Sequence, residues 1–285
     1  MSSANKRSVQ AVTESTYVFG EHKHLLGTLT WPDEQTQGGT SIGCVLMCAG
    51  VIHRIGPHRM NVKLARALAS MGIASVRVDL AAVGDSRPPA TDNAYDQQAV
   101  TDLRASIDLL HEKASVKTAI MAGLCSGAVY SLMTALTDPR VTGLYMIDGY
   151  AYPTQRSKRE RYLQRVREIS PGVLTRSLKA RLARQKPPVS EAAPDYGLSH
   201  PPIEETAGRL NQLLDRGVCI SQLYSGSILQ HYNYEGQFEE AFAKYPGLER
   251  IQTEFAPHIN HTMTAVAAQR EMMEKVMAWA QACQR

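Results

Sequence analysis

The sequence predicts an α/β fold: a mostly parallel, twisted sheet with helices on both faces and a helical lid inserted between late strands. Three observations lead there. Apolar runs of strand length alternate with stretches of helical periodicity, the pattern that parallel strands and their crossover helices require. The alternation lapses once, over residues 151–214, and then resumes. A glycine-bracketed turn, Gly123-Leu124-Cys125-Ser126-Gly127, joins a strand run to a helical run.

Taken in order, residues 16–19 and 25–31 read as two antiparallel strands across the polar turn GEHK. Residues 41–48 form a continuous apolar run ending in Ala49-Gly50, which suits a central strand buried on both faces. Over 59–71, Met60, Val62, Leu64, Leu68 and Met71 recur at helical spacing, and Gly72 ends the run. A strand over 73–80, a helix over 94–113 and a strand over 118–122 follow. A helix over 127–137 stops at Asp138-Pro139, and a further strand covers 141–147. Residues 151–214 are helical, basic and interrupted by prolines, with no convincing strand. Strands at 218–223 and 250–255 then complete the sheet, and an amphipathic helix over 264–284 closes the chain. The organisation is therefore a core over 1–150, a basic helical lid over 151–214, and the rest of the core over 215–285.

With 285 residues, 44% hydrophobic and 20% charged, the chain can bury one large core and matches ordinary soluble proteins. The longest apolar run, 42–52, is too short to span a bilayer. The opening MSSANKRSVQ has no apolar segment of a secretory signal, so a cytoplasmic location is expected. Five cysteines, at 44, 48, 125, 219 and 283, are odd in number and unclustered in sequence. That pattern argues for reduced thiols rather than a disulfide framework or a zinc site, and no cofactor is expected. Net charge is +4, yet residues 151–186 hold eleven Lys and Arg against two Glu. The segment carries +9 and the remainder −5, which favours an acidic partner over nucleic acid.

The glycine turn carries the chemistry. A nucleophile elbow of the form G-x-S-x-G places its nucleophile midway between the glycines, on a strained strand-to-helix turn. Here the middle position is Cys125, and Ser126 follows it. Cys125 then stands at a helix N-terminus, where the dipole favours a thiolate, and the Ser126 N–H faces the developing oxyanion. A histidine after the last strand is the expected proton carrier of such a site. His261, in APHINHTM, fits because it leads directly into the closing helix; His258 is its competitor. The loop CAGVIHRIGPHR after the third strand offers the second oxyanion donor, the Val51 N–H beside Ile52, with Gly50 permitting close approach. His53, Arg54 and Tyr232 are candidate substrate contacts, although Arg54 could equally anchor its loop.

Together, VIHRIGPHRMNVKLARALASMGIASVRVDLAAVGDS, GLCSGA and NHTM resemble bacterial α/β-hydrolases of the serine-aminopeptidase-like branch. The similarity is greatest to exosortase A-associated hydrolases, whose elbow also reads G-L-C-(D/S) and whose lid is also basic. Dienelactone hydrolase is a remoter precedent for cysteine in this elbow. The resemblance covers roughly residues 16–284 and is weakest across the lid. It implies an α/β-hydrolase fold and cysteine-based acyl chemistry without fixing a substrate.

The acid departs from the family's pattern. An Asp is expected shortly after the strand at 218–223, in an S-G-x-D context, but LYSGSILQHYNYEGQF places Ser227 and Ile228 there. Asp148, in MIDGY at the end of the preceding strand, is the favoured substitute, with Asn233 and Glu235 as alternatives. Asp79 and Asp85 are read as holding a strand-end loop. The expected activity is that of an esterase, thioesterase or acyltransferase working through an acyl-Cys125 intermediate. Its acyl group could ride on coenzyme A, or on an acyl carrier protein docked on the basic lid. The alternative is a hydrolase-fold binding protein without turnover. A homodimer is compatible with the sequence but not required by it.

Overall fold

The computed structural model describes residues 12–32, 41–168 and 200–284. Eight strands form one sheet: β1 (Thr13–Phe19), β2 (Leu25–Trp31), β3 (Ile42–Met47), β4 (Ala74–Asp79), β5 (Thr118–Leu124), β6 (Val141–Ile147), β7 (Cys219–Ser225) and β8 (Gln252–Ala256). Their spatial order is β1-β2-β4-β3-β5-β6-β7-β8. β2 pairs antiparallel with β1 and β4, and all other pairs are parallel. The first hairpin is thus appended to a parallel sheet whose crossovers are helices.

The central strands are apolar on both faces because both faces are covered. In β5, Ala119 and Met121 enter one buried cluster while Ile120, Ala122 and Leu124 enter the other. In β3, Val45 and Met47 are divided from Cys44 and Leu46 in the same way. The first cluster is closed by α2 (Tyr95–Ala114) and α3 (Ser126–Thr137), through residues such as Leu103, Leu110 and Leu132. The second is closed by α1 (Met60–Ser70) and α7 (Val266–Ala282), through Leu64, Leu68, Met272 and Trp279. Each strand thus alternates its side chains between two cores at the period-two spacing of a pleated sheet.

Between β6 and β7 the chain runs through α4 (Gln155–Glu168) and α5 (Ile203–Asp215). The sequence assigns all of 151–214 to a lid, but α5 is a core helix. Ala207, Leu210, Leu213 and Leu214 pack its apolar stripe into the first cluster. The middle of that expected lid, 169–199, lies outside the described residues. A short helix, α6 (Gln237–Phe242), was not legible as helix: only Phe238 and Phe242 mark its buried face. Strand β8 starts two residues later than the apolar pattern suggests because Leu248–Arg250 is a 3-10 turn. Among the described residues, no helix is long and apolar enough to cross a membrane.

Candidate active site

The carboxyl ends of β3, β5, β6 and β7, with the loop after β8, converge on Cys125. Cys125 sits between β5 and α3 at φ 55° and ψ −117°, a region that L-residues rarely occupy. Such strain costs about 1–3 kcal/mol and persists only where the surroundings enforce it. The neighbouring glycines do so. A Cβ on Gly123 would lie 2.4 Å from the Gly127 carbonyl oxygen, and one on Gly127 would lie 2.7 Å from that of Cys48. The turn is pinned by the Cys125 N–H, which donates to the Ile147 carbonyl at 2.7 Å.

Ser126 is buried, and its Oγ accepts the Gly50 N–H at 2.6 Å. Its hydroxyl therefore ties the loop after β3 to the elbow, while its N–H opens α3, where helical donors have no internal partner. In that loop the Ile52 N–H donates to the Ala49 carbonyl at 3.1 Å. Gly50 and Ile52 are committed; among the described residues, no acceptor engages the Val51 N–H. Gly50 holds this turn at a φ of +50°, and a Cβ there would meet nothing within 4 Å.

Asp148 follows β6 at φ 51°, with its side chain fully buried. Its Oδ2 accepts His261 Nδ1–H at 2.6 Å and the Ser225 hydroxyl at 2.6 Å. Its Oδ1 accepts the Ser225 N–H at 2.6 Å. The hydrogen bond to Asp148 is the main cause that raises His261 to a pKa of about 10, followed by the hydrogen bond to Cys125; burial opposes both. The imidazole is thus bonded to the buried carboxylate with the Cys125 thiol close by, and its charged form is favoured.

Ser227, one residue before the position where the S-G-x-D pattern would have its acid, accepts the His261 backbone N–H at 2.8 Å. Ser225 and Ser227 contact Asp148 and His261 in the candidate site and are absent from the site residues read from the sequence. Their signal was the serine-rich YSGS itself, read only as the loss of an aspartate.

Asn233 and Glu235 do not reach His261. Asn233 Nδ2 donates to the Ser157 carbonyl at 3.0 Å, and Glu235 Oε2 accepts the Phe255 N–H at 3.1 Å. Both belong to the loop between β7 and β8, and are held by α4 and by β8 respectively. Tyr232 is not a substrate contact either: it is 1% exposed and stacked on Tyr224 at a centroid distance of 3.8 Å. His258 lies away from Cys125 and Asp148, 2.8 Å from Glu271 on α7.

Arg54 anchors its loop. Its Nη1 donates to Asp79 Oδ2 at 2.5 Å and Asp85 Oδ2 at 2.7 Å, and lies 2.8 Å from His53 Nε2. His53, Asp79 and Asp85 hold ligand-type atoms within 4.8 Å of one another, but the Arg54 guanidinium supplies the cation among them. His53 keeps one third of its side chain exposed at the loop surface.

No protein-family model matches the chain, and no curated protein matches it by sequence. Its fold does have counterparts among solved structures. An esterase from Pyrococcus furiosus superposes with a TM-score of 0.59 at 11% identity, covering 95% of this chain and 91% of the other. A dienelactone hydrolase from Anabaena variabilis gives 0.54 at 14%, covering 95% and 97%. An α/β serine hydrolase without a lid, from Xanthomonas campestris, gives 0.54 at 14%, covering 95% and 94%. The chain has the α/β-hydrolase fold.

Proposed function

We propose that the protein is a hydrolase or acyltransferase that forms a covalent acyl-Cys125 intermediate from an ester or thioester. The single observation that carries this reading is the His261–Asp148 hydrogen bond beside Cys125, a strained residue at a helix start. The esterase and hydrolase names of the structural neighbours support the reaction class. The likeness to exosortase A-associated hydrolases, carried by GLCSGA and the basic segment, supports cysteine as the nucleophile.

In the first half-reaction, the Cys125 sulfur attacks the acyl carbon, and the Ser126 and Val51 N–H groups receive the oxyanion. Because Nδ1 of His261 is engaged by Asp148, Nε2 faces the sulfur and delivers a proton to the departing alcohol or thiol. His261, now neutral, takes a proton from water or a second acceptor, which attacks the thioester and regenerates the thiolate. Ser126 is unsuited to the nucleophile's role, because its buried Oγ is spent on the Gly50 N–H. Asp148 at His261 supports turnover over a hydrolase-fold binding protein, the reading that the missing aspartate after β7 would favour.

The basic segment suits an acidic acyl donor, either coenzyme A or a carrier protein. On α4, Arg156 lies over the Tyr234 ring at 4.1 Å, and Arg161 donates to the Gln230 carbonyl at 2.6 Å. Those two hold the helix to the loop after β7, whereas Lys158 and Arg159 are exposed for a partner.

Intact-mass measurement after exposure to a panel of acyl-coenzyme A thioesters tests the proposal. An acyl adduct mapped to Cys125, absent from Cys125→Ala, is expected. Thioester turnover that survives Cys125→Ala would overturn it.

A further inference from the structure

Away from the nucleophile, two other thiols meet. Cys219 opens β7 at the end opposite Ser225, six residue steps or roughly 20 Å from the active-site end of the strand. Cys283 follows the last turn of α7, remote from the His261 loop that precedes that helix. They are 64 positions apart in sequence, which is why they read as unclustered. In the sheet, Cys219 is the register partner of Gly143. The Cys283 sulfur lies 3.1 Å from the point a Cβ on Gly143 would occupy, so the glycine leaves the space in which the thiols meet. Both cysteines are half-buried, free, and packed against the second core cluster.

The chemistry of the two sulfurs is unequal. A hydrogen bond from Cys283 lowers Cys219 to a pKa of about 7, and Cys283 is raised in turn. The nearby Trp279 side chain lowers Cys219 further. One thiol is thereby prepared to attack and its neighbour to resolve. The other two structural cysteines differ: burial pushes Cys48 up to about 12 and Cys44 higher still.

We propose that Cys219 and Cys283 form a thiol–disulfide exchange site that takes a low-molecular-weight disulfide and closes to a reversible intramolecular disulfide. The Cys219 thiolate attacks one sulfur of the reagent, forming a mixed disulfide and releasing one thiolate. Cys283 then attacks the Cys219 sulfur, displacing the second reagent thiol, and its proton goes to the released thiolate. Two protein thiols lose two hydrogens, and the reagent is reduced to two thiols. The new bond would join β7 to the end of α7 without touching Cys125.

The full chain can be incubated with oxidised glutathione, quenched by alkylation and digested with trypsin, which places Cys125, Cys219 and Cys283 in three separate peptides. The expected product is a linked Cys219–Cys283 peptide pair that dithiothreitol separates. In Cys283→Ser, glutathione should remain on Cys219, and Cys219→Ser should slow modification of Cys283 by about ten-fold or more. Recovery of both wild-type thiols in alkylated form while Cys125 has reacted would refute the proposal. Retention of glutathione on wild-type Cys219 to the same extent as in Cys283→Ser would do so equally.

Discussion

Asp148 and His261 are separated by 113 positions in the chain and joined by a 2.6 Å hydrogen bond. The carboxylate is not free to adopt another geometry, because Ser225 binds both of its oxygens. The histidine is fixed from behind by Ser227, which takes its backbone N–H. Strands β6 and β7 are adjacent and parallel, so their carboxyl ends deliver Asp148 and the two serines to one place. An aspartate just after β6, with Ser225 closing β7 and Ser227 following it, thus holds the imidazole from two adjacent strand ends.

Replacing Asp148 by Asn should remove the charge that favours the His261 imidazolium while preserving volume. Acyl transfer is expected to fall by roughly 10²–10⁴-fold. Asn233→Ala and Glu235→Gln, which alter groups bonded elsewhere, should change it by less than about three-fold. Steady-state rates on a thioester substrate, with folding checked by circular dichroism, separate the three variants. A full loss in Glu235→Gln alone would reassign the acid.

Much of this was legible in the sequence, for identifiable reasons. Cys44–Met47 and Ala119–Leu124 are apolar without interruption because both sheet faces are covered, and such runs announce buried parallel strands. Gly123 and Gly127 are required by backbone contacts within the elbow, so the spacing alone singled out Cys125. By contrast, Tyr232 and Asn233 looked available because a loop sequence does not reveal stacking on Tyr224 or a bond to Ser157. The lid boundary failed at α5 because its four buried apolar residues sit among charged and polar ones. Their stripe becomes a core face only once a sheet lies beneath it.

The elbow glycines can be tested through stability. Gly123→Ala places a methyl carbon 2.4 Å from a backbone oxygen that cannot rotate away. The expected cost is about 3 kcal/mol or more, a fall in melting temperature of roughly 5–10 °C. Gly50→Ala meets no atom within 4 Å but must hold a positive φ, so its cost should be only about 1 kcal/mol. Thermal denaturation of both variants checks this order, and equal losses would contradict it.

Ser126→Ala probes the oxyanion loop without touching the nucleophile. It deletes the acceptor of the Gly50 N–H and costs about 1 kcal/mol of stability. If that bond positions Val51, kcat should fall by roughly ten-fold with KM little changed, because the donor acts chiefly in the transition state. An unchanged kcat would leave Ser126 as a structural tie only. A loss equal to that of Cys125→Ala would move the nucleophile to Ser126.

The pH dependence of stability follows from His261. Its pKa rises from an ordinary 6.5 in the unfolded chain to about 10 in the fold. The folded state therefore binds the proton more tightly, and the resulting stabilisation is fully present below about pH 6.5. It declines as pH rises and is gone above about pH 10. The melting-temperature gap between wild type and His261→Gln should accordingly be widest near pH 6 and narrow steadily towards pH 10. Asp148→Asn should show a flatter profile, because the largest cause of the raised pKa is removed. Titration of Cys219 falls in the same range but is common to all three proteins, so the differences report His261. A gap that stays constant from pH 6 to 10 would mean that His261 is neutral in the fold and that proton delivery to the leaving group needs another donor.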